Sequence, residues 1–260
     1  MRRVDFFQTS FIAITLFITI LLIMAIASLF VVPSWDDVRH NIWSEEMRFS
    51  LKLSLITGIT STILVMLFAL PIGYALSRFR FWGKGLVKTV IDMPIAFPEL
   101  VLGLCLLLLF GSTILRDILA SAGINFVFTK KGIVAAQFFT ALPYAIRIMK
   151  STFDYINPRL EFVSRSLGYS MFETFKNISL PLAKNGIVAS MVISFARCIG
   201  TFGTVLILAG GSYMKTEILP ITLYLNISYG NMGMALTSGI VLMIVSFLAI
   251  FVFEKAEVSL

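Results

Sequence analysis

Charge is what this sequence has least of. Of its 260 residues only 13% are Asp, Glu, Lys or Arg, against about 25% in soluble domains, while 58% are hydrophobic. A soluble core of this size could not absorb so much apolar surface, which excludes an ordinary globular domain. Histidine occurs once, as His40 in a polar stretch with no Cys or His near it, so metal-assisted chemistry lacks its usual ligands. Two cysteines, Cys105 and Cys198, both fall inside apolar runs, where a thiol acts as a small hydrophobe; they read as free and structural. No Gly-x-x-x-x-Gly-Lys-Ser/Thr pattern occurs, the nearest fragment being Gly83-Lys84-Gly85, so the chain does not cradle nucleotide phosphates as that loop does. No Ser, Cys or His has a base beside it in a nucleophile arrangement, which speaks against an intramembrane enzyme. An internal repeat, a low-complexity tract and an interdomain linker are also missing, so residues 1–260 read as a single domain.

Long apolar runs are what the sequence has instead. They lie at about Phe6–Val32, Leu51–Leu76, Leu86–Phe110, Gly132–Met149, Leu182–Leu208 and Met232–Phe253. Each is near or above the roughly 20 residues that a helix needs to cross a bilayer, and far longer than a barrel strand of about 9–11. In lipid the backbone must satisfy its own polar groups, so the runs are expected to be helices. The expectation is an all-α integral membrane protein with six transmembrane helices. The first run is too long for a signal-peptide core and lacks a small-residue cleavage site, so it should remain as a span. Pro71, Pro94, Pro98 and Pro143 interrupt the second, third and fourth spans, and each removes a backbone donor.

Orientation follows from the basic residues. With the N-terminus inside, the cytoplasmic segments hold Arg2, Arg3, Arg78, Arg80, Lys84, Lys88, Arg147, Lys150, Arg159, Arg165, Lys176, Lys184 and Lys255. The outer segments hold Arg39, Arg48, Lys52, Arg116, Lys130, Lys131 and Lys215, and this bias predicts that both termini are cytoplasmic. The net charge of +7 is therefore topological, and no nucleic-acid partner is implied. Trp35, Trp43 and Trp82 fall near span ends, as an interfacial belt requires.

The stretch after the fourth span, about 150–181, is long and mixed in charge. It reads as two short helices joined at a glycine. Asn157 is a good N-cap with Pro158 at the first helical position, Gly168 can take the left-handed conformation after the first helix, and Ser170-x-x-Glu173 is a capping box. Pro181 then marks the entry to the fifth span. Built so, the loop is a rigid docking element.

The spacing from Gly168 across nine residues to Ile178-x-Leu180-Pro181 resembles the cytoplasmic "EAA" loop of ABC importer permeases. Asn157-Pro158-Arg159-Leu160-Glu161 and Ser166-Leu167-Gly168 also fall where that family has them. The resemblance implies a type I ABC importer permease fold, with this loop set against an ATP-binding subunit through Arg159, Glu161, Phe162, Gly168, Ile178, Leu180 and Pro181. One departure concerns the acidic position. Aligned on Gly168, the family's Glu-Ala-Ala falls on Phe162, Val163 and Ser164, with Glu161 one place early. Either Glu161 supplies the acidic contact by a small rotation, or docking is more apolar, through Phe162.

Met93-Pro94-Ile-Ala-Phe-Pro98-Glu99-Leu-Val-Leu-Gly103 and Phe195-Ala-Arg197-Cys-Ile-Gly200-Thr201-Phe-Gly203 look like the third- and fifth-span regions of molybdate/tungstate permeases, whose relatives carry sulfate. All three are tetrahedral oxyanions of charge minus two. The resemblance implies a translocation path around Pro94, Pro98, Glu99, Gly103, Arg197, Gly200, Thr201 and Gly203. Thr201 stands where that group commonly has an acidic residue. The small residues let backbones approach or leave room at a constriction. Glu99 and Arg197 are the most central charges, and a charge near the bilayer centre costs about 2.5–3.5 kcal/mol on insertion scales, so each should find a partner. The expected partner of Arg197 is Glu99 or a carbonyl freed by Pro98. The resemblance further implies a homodimer of this permease, two ATP-binding cassette subunits, an extracytoplasmic anion-binding protein, and the cytoplasmic membrane of a prokaryote. This chain would bind no cofactor of its own, ATP and magnesium being held by the partner subunit. A secondary transporter should instead show inverted repeats and ion-coupling groups near the midplane, and no repeat is visible.

Overall fold

The computed structural model describes residues 6–258; Arg2 and Arg3, used above for orientation, lie outside the described residues, as does the side chain of Lys255. The described residues are helical almost throughout. In chain order the helices are α1 (Phe6–Val31), α2 (Trp35–Ile42), α3 (Glu45–Arg78), α4 (Lys84–Ala96), α5 (Glu99–Ser112), α6 (Ile114–Ser121) and α7 (Lys130–Tyr155). Then follow α8 (Pro158–Ser166), α9 (Met171–Thr174), a π-helical turn (Phe175–Ser179), α10 (Leu180–Leu182), α11 (Lys184–Gly200), α12 (Gly203–Ala209), α13 (Leu219–Ser228) and α14 (Met232–Val258). Four helices are long and apolar enough to cross a membrane, α1, α3, α7 and most of α14, and two bent pairs bring the number of spans to as many as six.

The expected third and fifth spans are not continuous. α4 and α5 meet at 116°. The cause is Pro98, which has no N–H to donate and forces the preceding Phe97 into an extended conformation, with ψ 141°. The fifth span is bent by 72° where the chain passes from Leu182 to Lys184, and it breaks again between Gly200 and Gly203, where Thr201 is extended. Pro71, Pro94 and Pro143, by contrast, lie within unbroken helices. There the helix continues past the missing donor.

The core is a three-helix contact of α3, α7 and α11. The face of α3 that is turned inward carries small residues at helical spacing: Ser50, Ser54, Gly58, Ser61, Ala69 and Gly73. At Gly73 an added Cβ would stand 2.6 Å from Cβ of Met149 on α7, so glycine is what permits the approach. Polar groups along this seam pair across helices. The Ser61 hydroxyl donates to the Gln137 side-chain oxygen at 2.9 Å, and Ser54 Oγ accepts from the Leu219 N–H at 2.8 Å, satisfying a donor at the start of α13. Cys198 is buried in this core and Cys105 is exposed on the apolar surface; both are free. α1 rests on α14 and presents apolar side chains such as Phe7, Phe11 and Phe17 outward, a surface that lipid tolerates and water does not.

Candidate coupling loop and membrane break

Two places in this frame bring charged groups together. The first is the loop after α7. Asn157 caps α8, its side-chain oxygen accepting from the Arg159 N–H at 3.0 Å with Pro158 at the first turn. Gly168 follows at φ +95°, a conformation that a side chain disfavours, and turns the chain toward α9. Ser170 and Glu173 form the expected capping box, the serine hydroxyl accepting from the Glu173 N–H at 3.2 Å and the carboxylate from the Ser170 N–H at 2.8 Å. These contacts hold the Glu173 carboxyl below its usual range.

The loop is held to the rest of the chain by Glu161. Arg78, at the end of α3, donates through Nε to Glu161 at 2.9 Å and through Nη2 to the Ile156 carbonyl at 2.8 Å. The Ser179 hydroxyl, in the π-helical turn, donates to the other carboxylate oxygen at 2.7 Å. Tyr74, Phe153 and Phe175 pack edge to face beneath them. Glu161 is therefore only 8% exposed, both of its carboxylate oxygens being engaged inside the chain. Phe162, next along, is 72% exposed, as is Phe172, and Leu160, Val163, Leu167 and Met171 are exposed as well, with Leu160 on the opposite side of α8 from Phe162. Arg159 and Pro181 are exposed, while Ile178 and Leu180 are half-buried.

The second place is where the third and fifth spans break. Glu99, first residue of α5, accepts through one carboxylate oxygen from the N–H groups of Phe202 at 3.2 Å and Gly203 at 3.0 Å. Its own carbonyl accepts from the Thr204 hydroxyl at 3.0 Å. α5 and α12 are thus tied at their first turns, and glycine lets them touch. A Cβ on Gly103 would lie 2.9 Å from Cβ of Ile207, and one on Gly203 would lie 3.0 Å from Cβ of Glu99. These two glycines serve close packing. Thr201 is fully buried, its hydroxyl donating to the Arg197 carbonyl at 2.6 Å, whereas Pro98 and Gly200 are exposed and Pro94 is half-buried within α4.

The expected pairing of Arg197 with Glu99, or with a carbonyl near Pro98, is not formed. The break after Gly200 frees backbone N–H groups that reach Glu99 first. Arg197 turns instead to α7, donating through Nη2 to the Tyr144 hydroxyl at 2.8 Å, with its guanidinium carbon 4.3 Å from the ring centroid. One turn along α7, Arg147 meets Asp92 of α4 at 3.2 Å. Arg78, Ser179, Tyr144, Asp92 and Arg147 were not singled out from the sequence as site residues. The signal for the last two was present, since opposite charges inside two apolar stretches call for partners.

Residues 66–256 match the family described as the binding-protein-dependent transport system inner membrane component. The chain belongs to this family. Among its relatives, the molybdate/tungstate transport system permease protein of Pyrococcus furiosus is 31% identical over 98% of this chain and 96% of its own length. The corresponding protein of Pyrococcus abyssi is 37% identical over 70% of this chain and 67% of its own length. The sulfate transport system permease protein of Escherichia coli is 27% identical over 91% of this chain and 87% of its own. In fold, the chain is similar to a bacterial ABC transporter that imports the acidic polysaccharide alginate, with a TM-score of 0.75 over 98% of both chains at 16% identity. The methionine ABC transporter gives a TM-score of 0.64 over 83% of this chain and 98% of that one. The family fold is the type I ABC importer permease, and its members are transport subunits whose ATPase activity belongs to separate chains.

Proposed function

We propose that this permease subunit translocates a tetrahedral dianion, molybdate or tungstate first and sulfate second, received from an extracytoplasmic binding protein and driven by ATP hydrolysis on separate subunits. The observation that carries the coupling half of this reading is the surface of α8 and α9. Six apolar side chains, Phe162 and Phe172 foremost, stand outward on a loop whose backbone is capped at both helices and anchored by Glu161. Large apolar side chains held exposed on a rigid loop mark a protein contact. Its partner is the ATP-binding cassette subunit, two copies serving a homodimer of this chain. The substrate half is supported by the relatives, among them the molybdate/tungstate permease of Pyrococcus furiosus, which matches 98% of this chain. In this reading the chain crosses the cytoplasmic membrane of a prokaryote six times with both termini inside, the bent pairs counting as the third and fifth spans, and magnesium and ATP stay on the partner.

The test is reconstitution of the permease with its ATP-binding subunit and binding protein in proteoliposomes. Uptake of molybdate, tungstate and sulfate is measured alongside ATP hydrolysis. Phe162→Asp should abolish co-purification of the ATP-binding subunit while leaving the permease folded. Retention of a full complex by that variant would overturn the docking assignment. Failure of all three anions to enter, in vesicles whose ATPase is active, would overturn the substrate.

A further inference from the structure

Inside the apolar helices one face carries more positive than negative charge. Tyr144 and Arg147 are three residues apart on α7, so they share a face and are separated by about 4.5 Å along the axis. Arg197 of α11 reaches the first and Asp92 of α4 the second. Two guanidinium groups thus meet one carboxylate, because Glu99 is engaged elsewhere by the N–H groups of Phe202 and Gly203. The surplus is not fully satisfied. Arg197 Nε is buried and has no hydrogen-bond partner. A buried donor left unpaired costs about 1–3 kcal/mol and more when charged, so the site has an unmet demand for an acceptor. The Tyr144 hydroxyl accepts from Arg197 and donates to no acceptor among the described residues, which leaves its proton free. Arg147 has a side chain 60% exposed and meets Asp92 through one nitrogen, so most of its donors face open space.

We propose that Tyr144, Arg147 and Arg197 form a relay subsite for a tetrahedral dianion crossing the permease. Asp92 competes with the anion for Arg147. Arg197 and the Tyr144 hydroxyl supply the donors that replace water around the oxygens, and Arg147 takes the anion one helical turn further along α7. Asp92 then recovers Arg147 and lets the anion leave, the balance of attraction and release that conduction requires. This inference rests on the oxyanion reading above. The same donors would also suit the phosphate of a lipid headgroup, so the experiment separates the two sources.

The assembled complex of permease, ATP-binding subunit and binding protein is reconstituted in vesicles of phosphatidylcholine alone, and in vesicles that also contain an anionic lipid. Molybdate uptake is then measured for the wild type, Arg147→Gln, Arg147→Lys, Tyr144→Phe and Arg197→Lys. Because Arg147 is exposed, its variants keep the fold and the test does not hinge on Arg197. Arg147→Gln should slow uptake about tenfold, the change that about 1.4 kcal/mol produces. Arg147→Lys should retain most of the rate, and Tyr144→Phe should lose less than Arg147→Gln. Asp92→Asn, which removes the competitor, should raise the molybdate retained by the purified complex in equilibrium dialysis. Wild-type uptake by Arg147→Gln, equal losses for Gln and Lys, or a loss seen only with anionic lipid would each overturn the subsite. If the wild type moves no oxyanion in either vesicle, the oxyanion reading fails, and the subsite with it.

Discussion

The coupling loop and the membrane break are each held by one glutamate that accepts two hydrogen bonds, yet the two sites solve different problems. Glu161 takes a guanidinium and a hydroxyl, Arg78 and Ser179, so a charge pair is closed within the chain. Glu99 takes two backbone N–H groups and leaves Arg197 without a carboxylate. A side-chain cation cancels the charge and frees the surrounding surface to be apolar, which suits a docking face. Backbone donors are neutral, so they satisfy the carboxylate oxygen without cancelling its charge, and Glu99 and Arg197 each keep a charge that the other does not pair. The same residue type therefore serves as a closed anchor in one region and leaves an open charge in the other.

This comparison can be broken most severely at Glu161. Glu161→Leu leaves Arg78 buried without its counter-charge and should cost about 3–5 kcal/mol. A large fall in the melting temperature of the detergent-purified permease, with loss of the ATP-binding subunit, is the expected result; an unchanged melt would show that the anchor is dispensable. Next comes Glu99. Glu99→Leu leaves two amides without an acceptor, about 1–3 kcal/mol each, whereas Glu99→Gln still offers an oxygen to both. Glutamine should therefore restore most of the stability at 99 but not at 161, and thermal melts of the paired variants measure this directly.

A smaller effect is expected at Gly168. Nothing lies within 4 Å of an added Cβ there, so any loss comes from the backbone at φ +95° and not from a clash. Gly168→Ala should cost about 1–2 kcal/mol and the β-branched Gly168→Val more, and both should weaken coupling of ATP hydrolysis to uptake. An unchanged melting temperature for both variants would show that the left-handed turn is not needed. The smallest effect belongs to Glu173. Its folded-state pKa lies below the ordinary value of 4.5, so its contribution is present above that pH and lost as pH falls through the lowered value. Glu173→Gln should flatten the acid limb of the stability curve below pH 4.5, a change read from melts across pH, and should do little at neutral pH.

Much of the loop was legible before any coordinates, because capping is local. Asn157 and Ser170 find their partners two and three residues away, and Gly168 has the left-handed turn that its position between two helices implied. The membrane break was legible only in part. Pro98 announced an interruption, but nothing in the chain around it told how far α5 would swing or that Phe202 and Gly203 would present their N–H groups to Glu99. Glu161 stands one place early in the EAA register, which left contacts through Glu161 and through Phe162 both open, and its packing against Arg78 is a long-range contact that no local pattern shows.

The sequence alone determined that this chain is built of long apolar helices and how the loop after α7 begins and turns, since each rests on apolar run length or on hydrogen bonds within a few residues; how far the third and fifth spans bend was not among these. Tertiary structure decided which charge meets which. The cation that pairs with Glu161 lies 83 residues away along the chain, the amides that bond Glu99 about 103 away, and the tyrosine that holds Arg197 53 away. At such separations a contact is fixed by where helices bend and how closely glycines let them pack. A buried charge then bonds to the nearest group that the packing leaves open, and no local pattern records which group that is.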